Sequence, residues 1–219
     1  MTTGNDRRSP AAGGRFASTS SGAERTTGLP KSGALPPDHV PDLLAPGLAV
    51  VFCGTALGRV SAERRAYYAH PGNMFWRTLH ETGLTPVRIA PEAWPTLTAH
   101  AIGLTDVSKS HYGNDSELPG DAFDAAALHA KILAHRPRIL AFTSKAAAAA
   151  ALGKRTGALA LGFQPERIGD TRLFVLPSPS GQARRTWDAA RWQELADAVR
   201  NARAVVDLNR SPSLSPQQG

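Results

Sequence analysis

The sequence is short of the residues that build metal and redox sites. It has one cysteine in 219 residues, Cys53. That excludes a disulfide framework, a cysteine-rich zinc site and a cysteine-ligated iron–sulfur cluster, and it fits a reducing compartment. The seven histidines show no metal-ligand spacing, so no metal and no other cofactor is expected. No apolar run approaches the roughly 18 residues that cross a bilayer, and no membrane partner is expected. No internal repeat is present, and nothing in the pattern points to an oligomer, so a monomer is expected.

What the chain has is a folded segment with a positive charge. There are 25 Lys+Arg against 18 Asp+Glu, a formal net charge of +7, and 42% of the residues are apolar, enough for a buried core. Residues 1–46 hold five basic and four acidic side chains, and residues 206–219 hold one of each. The remaining 19 basic and 13 acidic side chains, a net of +6, lie in 47–205. A basic globule of this kind suits a polyanionic partner, nucleic acid first. Residues 1–43 are rich in Ser, Thr, Gly and Pro without apolar period and are expected to be a disordered tail, as is 206–219. One domain is expected over 44–205, with a cytoplasmic, nucleoid-associated location.

Within that domain, short apolar runs alternate with longer amphipathic ones. Leu48–Gly54, Ala99–Asp106, Arg138–Ser144 and Thr171–Gly181 read as strands, the last running into a turn. Helices are expected over Asn73–Thr82, Asp121–His135 with Asp121 as N-cap, Lys145–Leu152, and about Asp188–Val205. The alternation predicts an α/β fold with a mostly parallel sheet of about four strands covered on both faces. Chemistry in such folds lies at the carboxyl ends of the strands.

Two of the loops there are rich in functional groups. Gly54–Trp76 places Gly54 and Gly58 where backbone N–H groups approach a ligand closely. It lacks both the Gly-Lys-Ser/Thr ending of a phosphate-binding loop and the Gly-x-Gly-x-x-Gly spacing of a dinucleotide site. Tyr67 or Tyr68 could stack on a base, or both could pack on the core. His70, before Pro71, could order this loop. Leu176–Trp187 (LPSPSGQARRTW) offers hydroxyls, amides and two arginines that could grip a phosphate backbone, or it is a helix-start loop with two solvated arginines.

APGLAVVFCG, then G-x-x-x-G, then YAHPGNMFWRTLHETGLT, together with LPSPSGQAR near the C-terminus, resembles the mismatch-specific uracil/thymine branch of the uracil-DNA glycosylase superfamily, over about 44–205. The resemblance implies a three-layer α/β/α sandwich and enzymes that flip a damaged base out of DNA and hydrolyse its N-glycosidic bond. It implies that Tyr68 stacks on the flipped uracil and that Gly54, Thr55 and Ala56 line the base pocket. It further implies that Ser178, Ser180, Gly181, Gln182, Ala183 and Arg184 form the loop pressed into DNA, with Gln182 at the wedge and Arg184 on the backbone.

The first motif departs from that branch. Where Gly-Ile-Asn-Pro-Gly supplies an Asn that positions water, this chain reads Gly54-Thr55-Ala56-Leu57-Gly58, and Ala56 cannot bond water. Asp106, ending the second strand run, is the replacement expected to align water and stabilise an oxocarbenium-like sugar; a strand-end capping role is the structural alternative. Ser178 is expected to donate to the leaving base, and Asn114 or His111 to contact substrate unless they belong to a polar surface loop. No lysine is placed as a Schiff-base nucleophile. The function expected is a monofunctional uracil-DNA glycosylase of base excision repair, acting on single- and double-stranded DNA. The alternatives are a catalytically silent uracil- or abasic-DNA binder, or a glycosylase for hypoxanthine or mismatched thymine.

Overall fold

The computed structural model describes Met1, residues 29–36 and residues 38–210, the last six by backbone alone. In chain order the elements are β1 Gly33–Ala34, β2 Val50–Gly54, α1 Arg59–Arg64, α2 Phe75–Glu81, β3 Ile102–Asp106, β4 His111–Tyr112, α3 Ala125–His135, β5 Ile139–Phe142, α4 Lys145–Leu152, β6 Gly162–Ile168, β7 Thr171–Val175 and α5 Ala189–Arg210. Strands β3, β2, β5 and β7 lie parallel in that order, and β6 closes the β7 edge antiparallel.

Every residue of β2, β3 and β5 is buried, because helices cover both faces of the sheet and each apolar run has no polar side to show. Val50 and Phe52 face one layer, with Phe75 and Leu79 of α2 and Trp192, Leu195 and Val199 of α5. Val51 and Cys53 face the other, with Leu128 and Ile132 of α3 and Ala147 and Ala148 of α4. The result is the expected α/β/α sandwich.

The strand that the sequence conceals is β6. Its segment GFQPERI contains Pro165, which cannot donate to a ladder and argues against a central strand. It is tolerated at this sheet edge because the β6–β7 register shifts between Phe163 and Arg167. The Arg172 guanidinium lies 3.6 Å from the Phe163 ring centroid and secures the edge. Five strands therefore replace the four expected.

Several boundaries also move. Helix α3 begins at Ala125, capped by Asp124 Oδ1, which accepts from Ala127 N–H at 2.8 Å. Asp121 lies instead in a 3₁₀ turn, Gly120–Ala122. Two aspartates three residues apart give the same sequence signal, and the bond from Asp124 N–H to Val107 O (3.2 Å) decides between them. The segment before β3 is a kinked 3₁₀ run, Pro91–His100, so that strand starts at Ile102. Helix α5 continues past Val205 to Arg210.

The start of the domain is earlier than residue 44. Val40 is buried, and Leu43 exchanges backbone bonds with Leu104 at 2.8 and 3.0 Å. A Cβ on Gly103 would meet Leu43 O at 2.5 Å, so the segment lies flush on the sheet. β1 pairs with β4 at Ala34 and His111. Of the tails expected over 1–43 and 206–219, residues 2–28, 37 and 211–219 lie outside the described residues. A buried apolar side chain contributes about 1.5–3 kcal/mol, and Val40 and the half-buried Leu43 leave with the segment. A chain starting at Leu44 should accordingly be less stable than one starting at Leu29 by about 3 kcal/mol or more in urea unfolding. Equal midpoints would show that residues 29–43 add nothing.

Candidate active site

Strands β2 and β3 run in parallel register, with Gly54 opposite Asp106 at their carboxyl ends. The two residues fit as carboxylate and notch: a Cβ on Gly54 would collide with Asp106 Oδ1 and lie 3.3 Å from the Tyr68 hydroxyl. Glycine is needed here for close approach and not for its backbone angles. Gly54, Asp106 and Tyr68, expected from sequence to share a pocket, are thus brought together.

Asp106 is only 3% exposed, and its Oδ2 is buried with no hydrogen-bond partner among the described residues. Burial pushes its carboxyl up to about 7, against Lys109, whose positive charge pulls it back. Asp42 adds to the rise, while the Gly54 backbone and Lys131 oppose it. A capping aspartate would spend its oxygens on N–H groups, but this one keeps an oxygen in reserve.

Tyr68 is half-buried in the left-handed region at φ 53°. Three anchors hold the loop in that conformation. Ser61 Oγ accepts from Ala69 N–H at 3.0 Å, Arg64 donates to Ala69 O at 3.2 Å, and Trp76 Nε1 donates to Tyr67 O at 3.0 Å. The Tyr68 ring stacks on Phe75 with centroids 4.0 Å apart and planes at 23°. Its hydroxyl lies 3.3 Å from Thr143 Oγ1, at the end of β5. Burial first, with Asp106 adding, raises the Tyr68 phenol well above its usual range, so it stays a neutral donor. Tyr67 is core: it is buried and donates to Pro41 O at 3.1 Å.

The two loops meet. Met74 N–H donates to Pro179 O at 2.8 Å, and a Cβ on Gly181 would meet Gly72 O at 3.0 Å. His70 Nδ1 accepts from Gly72 N–H at 3.0 Å and so orders the first loop. Trp192 Nε1 donates to Pro177 O at 3.3 Å and anchors the second. Trp187 stacks on Trp192 and Trp192 on Phe52, with centroids 5.7 and 5.9 Å apart. That aromatic column ties the Pro-Ser-Pro-Ser-Gly loop to the wall behind Tyr68 through Phe75.

Ser178 Oγ accepts from Ser180 N–H at 3.2 Å, and Ser180 Oγ from Gln182 N–H at 3.3 Å. These turns start the 3₁₀ run Gly181–Thr186, which leaves Gln182, Arg184 and Arg185 exposed and Ala183 half-buried. Of the arginines in the first loop, Arg59 pairs with Glu63 and Arg64 with Glu92 while Arg65 is exposed, and in the second Arg184 and Arg185 are both exposed. Thr55 is buried and Ala56 half-buried.

Asn114 is not brought to Asp106 by any contact. It is exposed and starts the turn Asp115–Glu117, its N–H donating to Glu117 Oε2 at 3.0 Å. The neighbouring Asp115 carboxyl is raised by burial, with the Thr55 side chain opposing the rise. His111 Nδ1 lies 2.9 Å from Ser110 Oγ on the β4 edge. Sequence reasoning also missed Thr143, Asp42 and Lys109. Lys109 had a signal, standing three residues after Asp106, whereas Asp42 was hidden in a segment read as tail.

Among the described residues no group of three or more His, Cys, Asp or Glu could hold a metal ion, and no helix is long and apolar enough to cross a membrane. The family model of the uracil DNA glycosylase superfamily matches residues 41–199. The fold is shared with a Methanosarcina acetivorans protein solved by NMR and described as a candidate uracil DNA glycosylase. That likeness has a TM-score of 0.50 at 23% identity, covering 74% of this chain and 96% of the other. The match begins at Pro41, where the packed segment meets the sheet, and spans Asp106 and both of the loops that meet at Met74 and Pro179, so the chain belongs to the uracil DNA glycosylase superfamily.

Proposed function

We propose that the protein is a monofunctional uracil-DNA glycosylase, resembling the mismatch-specific branch, that works as a monomer and leaves an abasic site for base excision repair. The observation that supports this most is Asp106: a buried carboxylate at the end of β3, beside Gly54 and the Tyr68 hydroxyl, with one oxygen unpartnered among the described residues.

Cleavage of the N-glycosidic bond leaves positive charge on the sugar. In the ionised state Asp106 faces that charge and accepts the proton of the water that adds to C1′. The electron pair of the C1′–N1 bond leaves with the base. The Gly54–Ala56 backbone stabilises that anion, and so does Ser178, whose Oγ accepts from Ser180 N–H and keeps its own proton to donate. Tyr68 covers the flipped base, and the Ser178–Arg184 loop holds the strand, with Gln182 as wedge and Arg184 on phosphate. Ala56 in the place of the water-positioning Asn removes one polar group, and Asp106 supplies another from the neighbouring strand.

Two outcomes are expected. Asp106→Asn should cut uracil release from an oligonucleotide, read after alkaline workup, by at least ~100-fold, and wild-type kcat/KM should rise with pH through about 7 as the carboxyl ionises. Wild-type protein that binds uracil-DNA without cleaving it would instead make it a silent binder, and full activity in the variant would remove Asp106 from the chemistry.

The same carboxyl is a liability to the fold. Its native value is raised above the unfolded one, so the native state binds the extra proton and loses stability as pH rises from about 4 to about 7. Asp106→Asn should therefore stabilise the protein at pH 8 by on the order of 4 kcal/mol, with the gain shrinking towards pH 5. A variant less stable at pH 8 would contradict this.

A polar Gln182 wedge demands no paired guanine, so uracil should be released at comparable rates from single- and double-stranded DNA, and both rates should fall steeply with salt. Strict dependence on a G·U pair would sink this reading, and hypoxanthine or G·T oligonucleotides test the other bases.

A further inference from the structure

Behind the Asp106 carboxylate lies a second charged group that the chemistry above does not use. Asp42 Oδ1 accepts the Thr105 hydroxyl at 2.8 Å and lies 3.1 Å from Lys109 Nζ, while its Oδ2 lies 2.6 Å from Lys131 Nζ. Lys109 also donates to Val40 O at 2.7 Å and to the Tyr67 hydroxyl at 2.8 Å, and it sits 5.1 Å from the centroid of that ring. An ammonium has three protons. Those of Lys109 are matched by Val40 O, the Tyr67 hydroxyl and Asp42 Oδ1, so none is left for a phosphate, a water or a base.

Lys109 is therefore a fixed charge and not a mobile one. The network borders the site on two sides: Thr105, bonded to Asp42, precedes Asp106 in β3, and Tyr67, bonded to Lys109, precedes Tyr68. The ionisable groups that feel Asp106 are Lys109 from the loop after β3, Asp42 from the segment before β2, Lys131 from α3, Cys53 from β2, and Tyr67 and Tyr68 from the first loop. The thiol and both phenols are pushed upward by burial and stay neutral. That leaves two lysines and two carboxylates, which sum to zero only when Asp106 is ionised.

We propose that Lys109, locked in place by Asp42, is a positioning residue whose charge keeps the buried Asp106 carboxylate in its working, ionised form. The inference rests on the reading of Asp106 as the group that acts on water. Lys109 acts through Asp106 and touches no reacting atom. Asp42 has two opposed effects: it holds the lysine, and it repels the second carboxylate.

The test is the pH dependence of kcat/KM for uracil release by the full-length protein, in wild type, Lys109→Met, Lys109→Arg, Asp42→Asn and Asp106→Asn. Lys109→Met should move the acid limb up by at least about one pH unit, a tenfold loss below the wild-type midpoint that recovers towards pH 9. Lys109→Arg should bring the limb back to the wild-type position. Asp42→Asn keeps an oxygen to hold Lys109 while removing the negative charge, so it should move the limb the other way, and it carries the test if Lys109→Met does not fold. A lysine that merely braces the fold would lower activity equally at every pH, and coincident limbs in Lys109→Met or Asp42→Asn and wild type would overturn the proposal. Those coincident limbs beside an inactive Asp106→Asn would leave the reading of Asp106 standing, whereas a fully active Asp106→Asn would end both.

Discussion

A carboxylate held out of water against the α-carbon of a glycine organises this protein. Putting Asp106 in a site that is 3% exposed works against folding at neutral pH, because the charged form loses its hydration. Nothing in the core needs an acid there, since β2 and β3 would pair equally well with an apolar side chain at that end. The burial is understandable as chemistry: a dry carboxylate interacts with a developing cation far more strongly than a solvated one.

The surroundings follow from that constraint. Gly54 clears space for the oxygen, and the neutral Tyr68 phenol beside it brings no second negative charge. Asp42 pairs with both Lys109 and Lys131, whose positive charge pulls the Asp106 carboxyl back down. The loops that would handle DNA are built separately, on an aromatic column from Trp187 to Tyr68. On the proposed reading, base handling and charge handling come from different loops at the same strand ends, and a change in one loop motif need not silence the other.

Much of this was legible in the sequence, for physical reasons that differ by element. Apolar runs such as Val50–Gly54 declared buried parallel strands, and the Ala-rich run Lys145–Leu152 declared α4, to which the structure adds Ser144 as N-cap and Gly153 as left-handed C-cap. Strand β6 was illegible because Pro165 contradicts a ladder unless a register shift accommodates it. Residues 38–43 looked like tail because their few apolar side chains have no period and pack only through long-range contacts. Within the site, Gly54, Tyr68 and Asp106 were visible as strand-end and loop residues. Asn114, expected to contact substrate, is exposed and starts the turn Asp115–Glu117 without a contact to Asp106.

The account depends on Asp106 titrating near neutrality in the folded protein. Carbon-13 NMR of aspartate carboxyls, with the Asp106 signal assigned by its loss in Asp106→Asn, follows that proton directly in the absence of DNA. A midpoint at about 7 is the expected result, and a midpoint near 4, the ordinary value for a solvated aspartate, would contradict the account.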